Sequence, residues 1–343
     1  MFPLTNSFRT AFILLSLQLL VSGCTAIAVA DRIIPKQPQH LPTDIKIDVP
    51  FIEQTDHYCG PASLAMVANY YGKQVTADEI AQLIYIPEKK GSLQIEMQAA
   101  ARKLDFVAFT MNMDFASLRA EINAERPVII LQNLAFNVYP IWHYSVVTGI
   151  APNNDSFLLH SGRHKYYRSS WTTLDNTWSR GKYWALVAVP AGEIPSSIDD
   201  KNAIRAALDL EQLGKYRAAQ LTYAAILERW PENFTAQVGL ANTHMMLEEP
   251  LAASQAYKQA LRLRTHSADV LNNFAYSAFK LGCEITALEA ASCAIRIDGA
   301  NHKELGETLD ELKSLASTPS NHSLCPKIRC YDQSLAANDT SQN

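Results

Sequence analysis

The sequence predicts a chain of two parts, an α+β domain followed by an all-α repeat solenoid. Its 343 residues are enough for about two domains, and 48% hydrophobic against 19% charged residues is typical of globular proteins. Between residues 47 and 190, segments with helical spacing come first and strand-like segments follow. Beyond residue 200 the pattern is wholly helical and repeats every 34 residues.

The charge balance argues against one class of partner. The chain has 30 Lys and Arg against 34 Asp and Glu, which gives a net charge of −4. Proteins that track phosphate backbones carry a basic excess instead. We therefore expect no nucleic-acid partner.

Residues 1–23 predict a lipoprotein signal peptide. They contain one charged residue, Arg9, before an apolar run from Ala11 to Val21 that is too short to span a bilayer. The run leads into VSGC, which resembles the bacterial lipobox and implies that Cys24 is lipidated and anchors the chain to a membrane. By the same resemblance, Thr25 favours the outer membrane of a bacterial envelope, with the protein facing the periplasm. A plain secretory signal is the alternative.

Residues 24–46 predict a tether, because three prolines stand among polar residues there. Residues 47–190 predict the α+β domain. We expect helices over Pro61–Tyr71, from a capping box at Thr76–Glu79, over Ser92–Leu104 and over Asp114–Ala124, and strands over Pro127–Leu131, His143–Ile150, Ser156–His160 and Tyr183–Val189.

After a polar linker at 191–200, residues 201–315 predict a helical repeat with a capping helix over His302–Leu315, and 316–343 predict a polar tail. The 34-residue period aligns small residues where helices would cross. Two columns, that is, sets of equivalent positions in successive repeats, show this: Ala207, Ala241 and Ala275, and Ala219, Ala253 and Ala287. This pattern resembles the tetratricopeptide repeat.

The cysteines fit an oxidising compartment. Besides Cys24 and Cys59, an even number remains: Cys283, Cys293, Cys325 and Cys330. If Cys283 and Cys293 bracket one helix, they lie about 15 Å apart and cannot bridge. Cys325 with Cys330 is the easier pair, although buried free thiols are equally compatible with the first two.

The strongest chemical signal is a cysteine before an apolar helical segment, with a distant histidine. Cys59 would lie at a helix N-terminus with Pro61 in the first turn, where the dipole favours the thiolate. His143 begins a predicted strand and could act as its base. Gln54, five residues upstream, could donate to an oxyanion together with the Cys59 backbone N–H.

These residues resemble the bacteriocin-processing cysteine peptidases, papain-like domains that trim double-glycine leaders. The resemblance covers about 140 residues, Val49–Val189, and implies Gln54 as oxyanion donor, Cys59 as nucleophile and His143 as general base and acid. Where that family has an orienting Asp, this chain has Ser161, whose hydroxyl can accept from the ring but cannot stabilise an imidazolium as a carboxylate does. Alternative orienting groups are Asn154, Asp155 and Asp175.

We therefore expect a papain-like cysteine peptidase domain followed by tetratricopeptide repeats. The resemblance implies an envelope-anchored enzyme that cleaves a peptide bond in a protein or peptide through a thioester, with a partner protein on the repeat groove. The other histidines form no metal motif, and the sequence implies no cofactor and no metal. One rival is a catalytically weak or inactive binding module that scaffolds an envelope assembly. An acyl transferase or amidase with the same residues is another.

Overall fold

The structure, a computed structural model, describes residues 45–54, 57–152, 155–298, 303–316, 319–328 and 330. The predicted signal peptide, Cys24 and nearly all of the tether lie outside these residues, as does the end of the tail. Among the described residues, no helix is both long and apolar enough to cross a membrane.

A seven-stranded antiparallel sheet forms the centre of the first part. Its strands are β1 (Ile45–Lys46), β2 (Phe106–Asn112), β3 (Val128–Asn133), β4 (Trp142–Ile150), β5 (Ser156–Ser161), β6 (His164–Ser170) and β7 (Trp184–Pro190). The order is β2-β7-β3-β4-β5-β6, and β1 pairs with the far end of β4. Residues 144–150 of β4 are all buried, whereas Trp142 and His143 are not. His143 therefore lies at the rim of the sheet.

Five helices accompany the sheet in the described residues: α1 (Cys59–Tyr70), α2 (Ala77–Ile84), α3 (Gln94–Lys103), α4 (Phe115–Asn123) and α5 (Trp171–Trp178). The predicted capping box is confirmed, since the Glu79 N–H donates to the Thr76 hydroxyl and the Thr76 N–H donates to the Glu79 carboxylate. Helix α1 is buried over nine consecutive residues and packs against β4. A helix that is apolar on all sides belongs inside a domain.

Besides the two-residue strand β1, which lies in the predicted tether, three elements differ from the sequence prediction. Strand β2 lies between two helices, and its apolar run does not alternate because the strand is buried at four successive residues. Strand β6 is an edge strand that is largely exposed, so its polar sequence gave no strand signal. Helix α5 has only two turns and begins where the Ser170 hydroxyl accepts from the Thr173 N–H.

The second part consists of helices that pack against their neighbours in sequence. They are α6 (Asp200–Gln212), α7 (Tyr216–Arg229), α8 (Phe234–Met246), α9 (Pro250–Leu263), α10 (Ala268–Lys280), α11 (Glu284–Asp298) and α12 (Lys303–Leu315). All six alanines of the two predicted columns are fully buried. The fold class predicted from the sequence, an α+β domain followed by a helical repeat solenoid, is confirmed.

The sheet and the first repeat share one hydrophobic core. Helix α6 packs against β2, and Tyr223 and Ile226 of α7 belong to the same buried cluster as β2 and β7. Arg102 of α3 also forms an ion pair with Asp209 of α6. The domain boundaries remain predictions from the sequence.

Four cysteines form two disulfides, Cys283–Cys325 and Cys293–Cys330. The pairing favoured from the sequence, Cys325 with Cys330, is therefore wrong. Ten residues of helix rise about 15 Å, and five residues of extended chain cover nearly the same length. Cys325 and Cys330 can thus reach Cys283, the residue before α11, and Cys293 within α11.

We expect Gly239→Ala to lower the free energy of unfolding by about 1–3 kcal/mol, the usual cost of overpacking. A Cβ at this position would lie 2.3 Å from the nearest atom of the Tyr223 ring, which is fully buried. Gly306→Ala in α12 is the matched control, because no heavy atom lies within 4 Å there. It should raise the stability by up to about 1 kcal/mol. Equal urea midpoints for the two variants would contradict this packing.

Candidate active site

Cys59 is the first residue of α1, where the helix N-terminus meets the beginning of β4. Gly60, the next residue, packs closely against Ser92, which precedes α3, because a Cβ at Gly60 would lie 2.9 Å from the Cβ and Oγ of Ser92. The backbone N–H groups of Tyr144, Gly60 and Cys59 itself lie near enough to the sulfur to lower its pKa. The thiol therefore lies next to the residue that follows His143.

His143 is held by a hydroxyl. Its Nε2 lies 2.9 Å from the Oγ of Ser161, the last residue of β5. Within the described part of the chain, Nδ1 of His143 has no hydrogen-bond partner and no hydrogen bond joins the ring to Cys59. Ser161 thus occupies the position of an orienting group, as the sequence predicted.

Ser161 is supported by two buried side chains that the sequence analysis did not single out. Its Oγ lies 3.1 Å from Ser145 Oγ, which lies 2.8 Å from Gln132 Oε1. Gln132 pairs with His143 in the register of β3 and β4. A polar residue inside an apolar strand was the available signal, since burying it requires a hydrogen-bond partner.

Gln54 uses its amide group inside the protein. Its Oε1 accepts from the Gly162 N–H at 2.8 Å, and its Nε2 donates to Ser63 Oγ at 3.2 Å and to the Tyr144 carbonyl oxygen at 3.3 Å. The structure brings Gln54 to the same stretch of β4 as Cys59. As an oxyanion donor it would exchange one of its two long hydrogen bonds for one to the substrate.

Two of the alternative orienting groups lie elsewhere. Asp155 binds Arg168 at 2.9 Å at the opposite end of β5, about 20 Å of strand from Ser161. Asp175 accepts a hydrogen bond from the Tyr183 hydroxyl at 2.8 Å. Asn154 lies outside the described residues.

Burial favours the neutral form of both reactive groups. It raises the pKa of the Cys59 thiol despite the three backbone N–H groups that lower it. It also lowers the pKa of His143 to about 4. Both shifts disfavour the thiolate–imidazolium pair in the free protein. These directions oppose the thiolate expected from the helix N-terminus, which the three backbone N–H groups favour.

An apolar loop leads into His143. Residues 134–141, together with Trp142 at the start of β4, form this segment, and three of its side chains have unusually high exposure: Phe136 at 75%, Val138 at 82% and Tyr139 at 82%. The loop is braced by Asn133, which is buried and accepts hydrogen bonds from the N–H groups of Ala135 and Ile141. A fixed apolar surface at the edge of the candidate site is suited to contact a ligand.

A cysteine–histidine cluster lies in the repeats. The ligand atoms of Cys283, His322 and Cys325 lie within 4.8 Å of one another, as in a metal site. In the structure the two cysteines form a disulfide, and His322 Nε2 lies 3.5 Å from the Cys283 sulfur. Because the two sulfur atoms are bonded to each other, the cluster is a disulfide with a histidine beside it.

Residues 46–185 match the model of one protein family, the Peptidase_C39 like family. The resemblance predicted from Cys59, His143 and their neighbours is thereby confirmed for this region, and the match supports a peptidase function. No curated protein matches the chain.

The chain is also similar to solved structures of two kinds. A C39-like peptidase from Bacillus anthracis is 17% identical, with a TM-score of 0.36 over 43% of this chain and 98% of that one. The peptidase domain of Streptococcus ComA, a bi-functional ABC transporter, is 23% identical, with a TM-score of 0.34 over 40% and 96%. The first tetratricopeptide-repeat domain of human RPAP3 is 18% identical, with a TM-score of 0.33 over 34% and 93%.

We expect iodoacetamide to alkylate Cys59 at a rate that rises with pH and has a midpoint above about 8.5, because only the thiolate reacts. Cys59 is the only free cysteine of the described residues, and mass spectrometry of the full chain would locate the label. His143→Ala should leave the pH profile nearly unchanged. Rapid labelling at pH 5–6 that His143→Ala abolishes would instead reveal a preformed ion pair.

Proposed function

We propose that the Peptidase_C39-like domain at residues 46–185 is a cysteine peptidase that cleaves a protein or peptide at an envelope membrane. One observation supports the proposal most. Within the matched region, Cys59 lies at a helix N-terminus beside β4, and His143 of β4 is oriented by Ser161 at 2.9 Å. These are the parts that acyl transfer through a thiol requires.

The first chemical step moves one proton. With both groups neutral in the free protein, His143 Nδ1 takes the thiol proton as the Cys59 sulfur attacks the scissile carbonyl carbon. The sulfur–carbon bond forms as the carbonyl π bond opens to an oxyanion. The backbone N–H of Cys59 and the Nε2 of Gln54 donate to that oxygen.

The second half returns the enzyme to its starting state. Collapse of the tetrahedral intermediate breaks the carbon–nitrogen bond, and His143 gives its proton to the leaving amine. Water then attacks the thioester, His143 takes a water proton, and the same proton returns to the Cys59 sulfur as the acid leaves. The exposed apolar loop 134–142 lies beside this reaction and contacts apolar residues of the substrate.

The repeats and the anchor define where the reaction takes place. A lipidated Cys24 and the tether at 24–46 hold the domain near the periplasmic face of the outer membrane. The repeats at 201–315 bind a partner or substrate protein.

A binding module without efficient turnover is the rival function. It is favoured by the burial of Cys59 and His143, which raises the pKa of the thiol and lowers that of the imidazole. An amidase or acyl transferase would share every residue of the mechanism, and the identity of the product separates it from a peptidase.

We expect Cys59→Ala to abolish cleavage while leaving the fold intact, since it removes the nucleophile and a single sulfur. The test adds purified full-length protein to an envelope fraction and compares new protein N-termini by mass spectrometry between wild type and variant. His164→Ala on the exposed edge strand is the matched control and should cleave like wild type. New N-termini that Cys59→Ala also produces, or none with wild type, would contradict a peptidase and favour the binding module.

A further inference from the structure

The side chains behind His143 form one chain of neutral hydrogen-bonding groups. It runs from His143 Nε2 to Ser161 Oγ at 2.9 Å, on to Ser145 Oγ at 3.1 Å, to Gln132 Oε1 at 2.8 Å, and from Gln132 Nε2 to Thr177 Oγ1 at 2.7 Å. Ser145 is fully buried and Gln132 is 5% exposed, so water does not compete for the bond between them, whereas His143, Ser161 and Thr177 are partly buried. The direction of each hydrogen bond can be counted from one end.

The count begins at Thr177 on α5. Its hydroxyl has a single hydrogen, and the backbone carbonyl oxygens of Thr173 and Leu174 lie 3.0 and 3.1 Å away to receive it. The Thr177 oxygen is then left to accept from the Nε2 of Gln132. This orients the amide, so that Gln132 presents Oε1, which can only accept, to Ser145.

The remaining hydrogens follow from that orientation. The Ser145 hydroxyl is placed to donate both to Gln132 Oε1 at 2.8 Å and to Ser161 Oγ at 3.1 Å, but it has a single hydrogen. Because Gln132 Oε1 is nearer and can only accept, it takes that hydrogen, and the contact with Ser145 is then completed by the Ser161 hydroxyl as donor. Ser161 has then used its own hydrogen and can only accept from His143. The ring must therefore bear its hydrogen on Nε2, and Nδ1 is left with a free lone pair.

We propose that Thr177, Gln132 and Ser145 are positioning residues that fix the Nε2–H tautomer of His143 and so reserve Nδ1 as the base. The catalytic meaning of this arrangement rests on the proposed function. An orienting carboxylate holds a histidine in the same tautomer, since it can only accept. The chain of side chains from Thr177 to Ser161 holds the ring in that tautomer without a charge. Its direction is set at one end, where the Thr177 hydroxyl donates to backbone carbonyl oxygens of α5.

If these hydrogen bonds ran in the opposite direction, His143 could not act as the base. If Gln132 presented its NH2 group to Ser145, each hydroxyl would donate toward the ring, and Nε2 would be an acceptor. The hydrogen would then be on Nδ1, which could not accept the thiol proton. The tautomer of His143 in the resting enzyme therefore reports the direction in which these hydrogen bonds run.

The test is the tautomer of His143, measured at pH 7 by long-range ¹H–¹⁵N correlation on full-length protein with ¹⁵N-labelled histidine. The signal is assigned by its loss in His143→Gln. We expect only Nε2–H in the wild type. In Ser145→Ala, Ser161 is free to donate to the ring, and at least half of the population should shift to Nδ1–H.

The matched control is Ser169→Ala in the same sheet. Ser169 is 1% exposed, and its hydroxyl has no hydrogen-bond partner in the described part of the chain, so its loss should leave the tautomer unchanged. A second pair of variants covers the case in which Ser145→Ala does not fold. Gln132→Met removes the acceptor, so part of the His143 population should shift to Nδ1–H. Gln132→Glu retains an acceptor and should keep Nε2–H.

Nδ1–H in the wild type, or Nε2–H that persists in both Ser145→Ala and Gln132→Met, would overturn the proposal. The spectrum is recorded without substrate, so its result does not depend on whether the protein cleaves anything. Where a cleaved substrate is known, Ser145→Ala should lower kcat at least about tenfold with little change in KM, because the base and not the binding surface is altered.

Discussion

The packing of the α1 N-terminus against the beginning of β4 is the constraint on which the rest of the site depends. Helix α1 is buried over nine consecutive residues, so it cannot shift without disrupting the core. Gly60 removes the one side chain that would collide with Ser92. The Cys59 sulfur is thereby fixed beside the Tyr144 N–H, one residue from His143.

The same packing determines the electrostatics of the site. Close burial raises the pKa of the thiol and lowers that of the imidazole, and no carboxylate contacts the ring among the described residues to oppose the second effect. The groups behind the ring are hydroxyls and an amide, which orient it without stabilising its charge. A site of this kind disfavours a resting thiolate, and in the proposed mechanism proton transfer accompanies attack on the substrate.

How far the sequence predicts this structure depends on how local each signal is. Cys59, His143 and Ser161 follow from a motif and a strand pattern, and the 34-residue period identifies the helical repeats. Gln132 and Ser145 could not be found that way, because their role depends on strand register. The disulfides required the path of the tail along α11, and the pKa values required the depth of burial, neither of which is encoded over a few residues.

The central claim is that His143 is uncharged in the free protein, and the titration of His143 tests it most directly. The titration reports the charge state that burial and the uncharged side chains behind the ring favour. The ¹³Cε1 shift would be followed from pH 3 to 10 in the wild type and in Cys59→Ala, with the signal assigned by its loss in His143→Gln. A midpoint near 4 that Cys59→Ala hardly changes is the expected result. A midpoint above about 7 that falls when the thiol is removed would mean that Cys59 and His143 form an ion pair, and would contradict the neutral site.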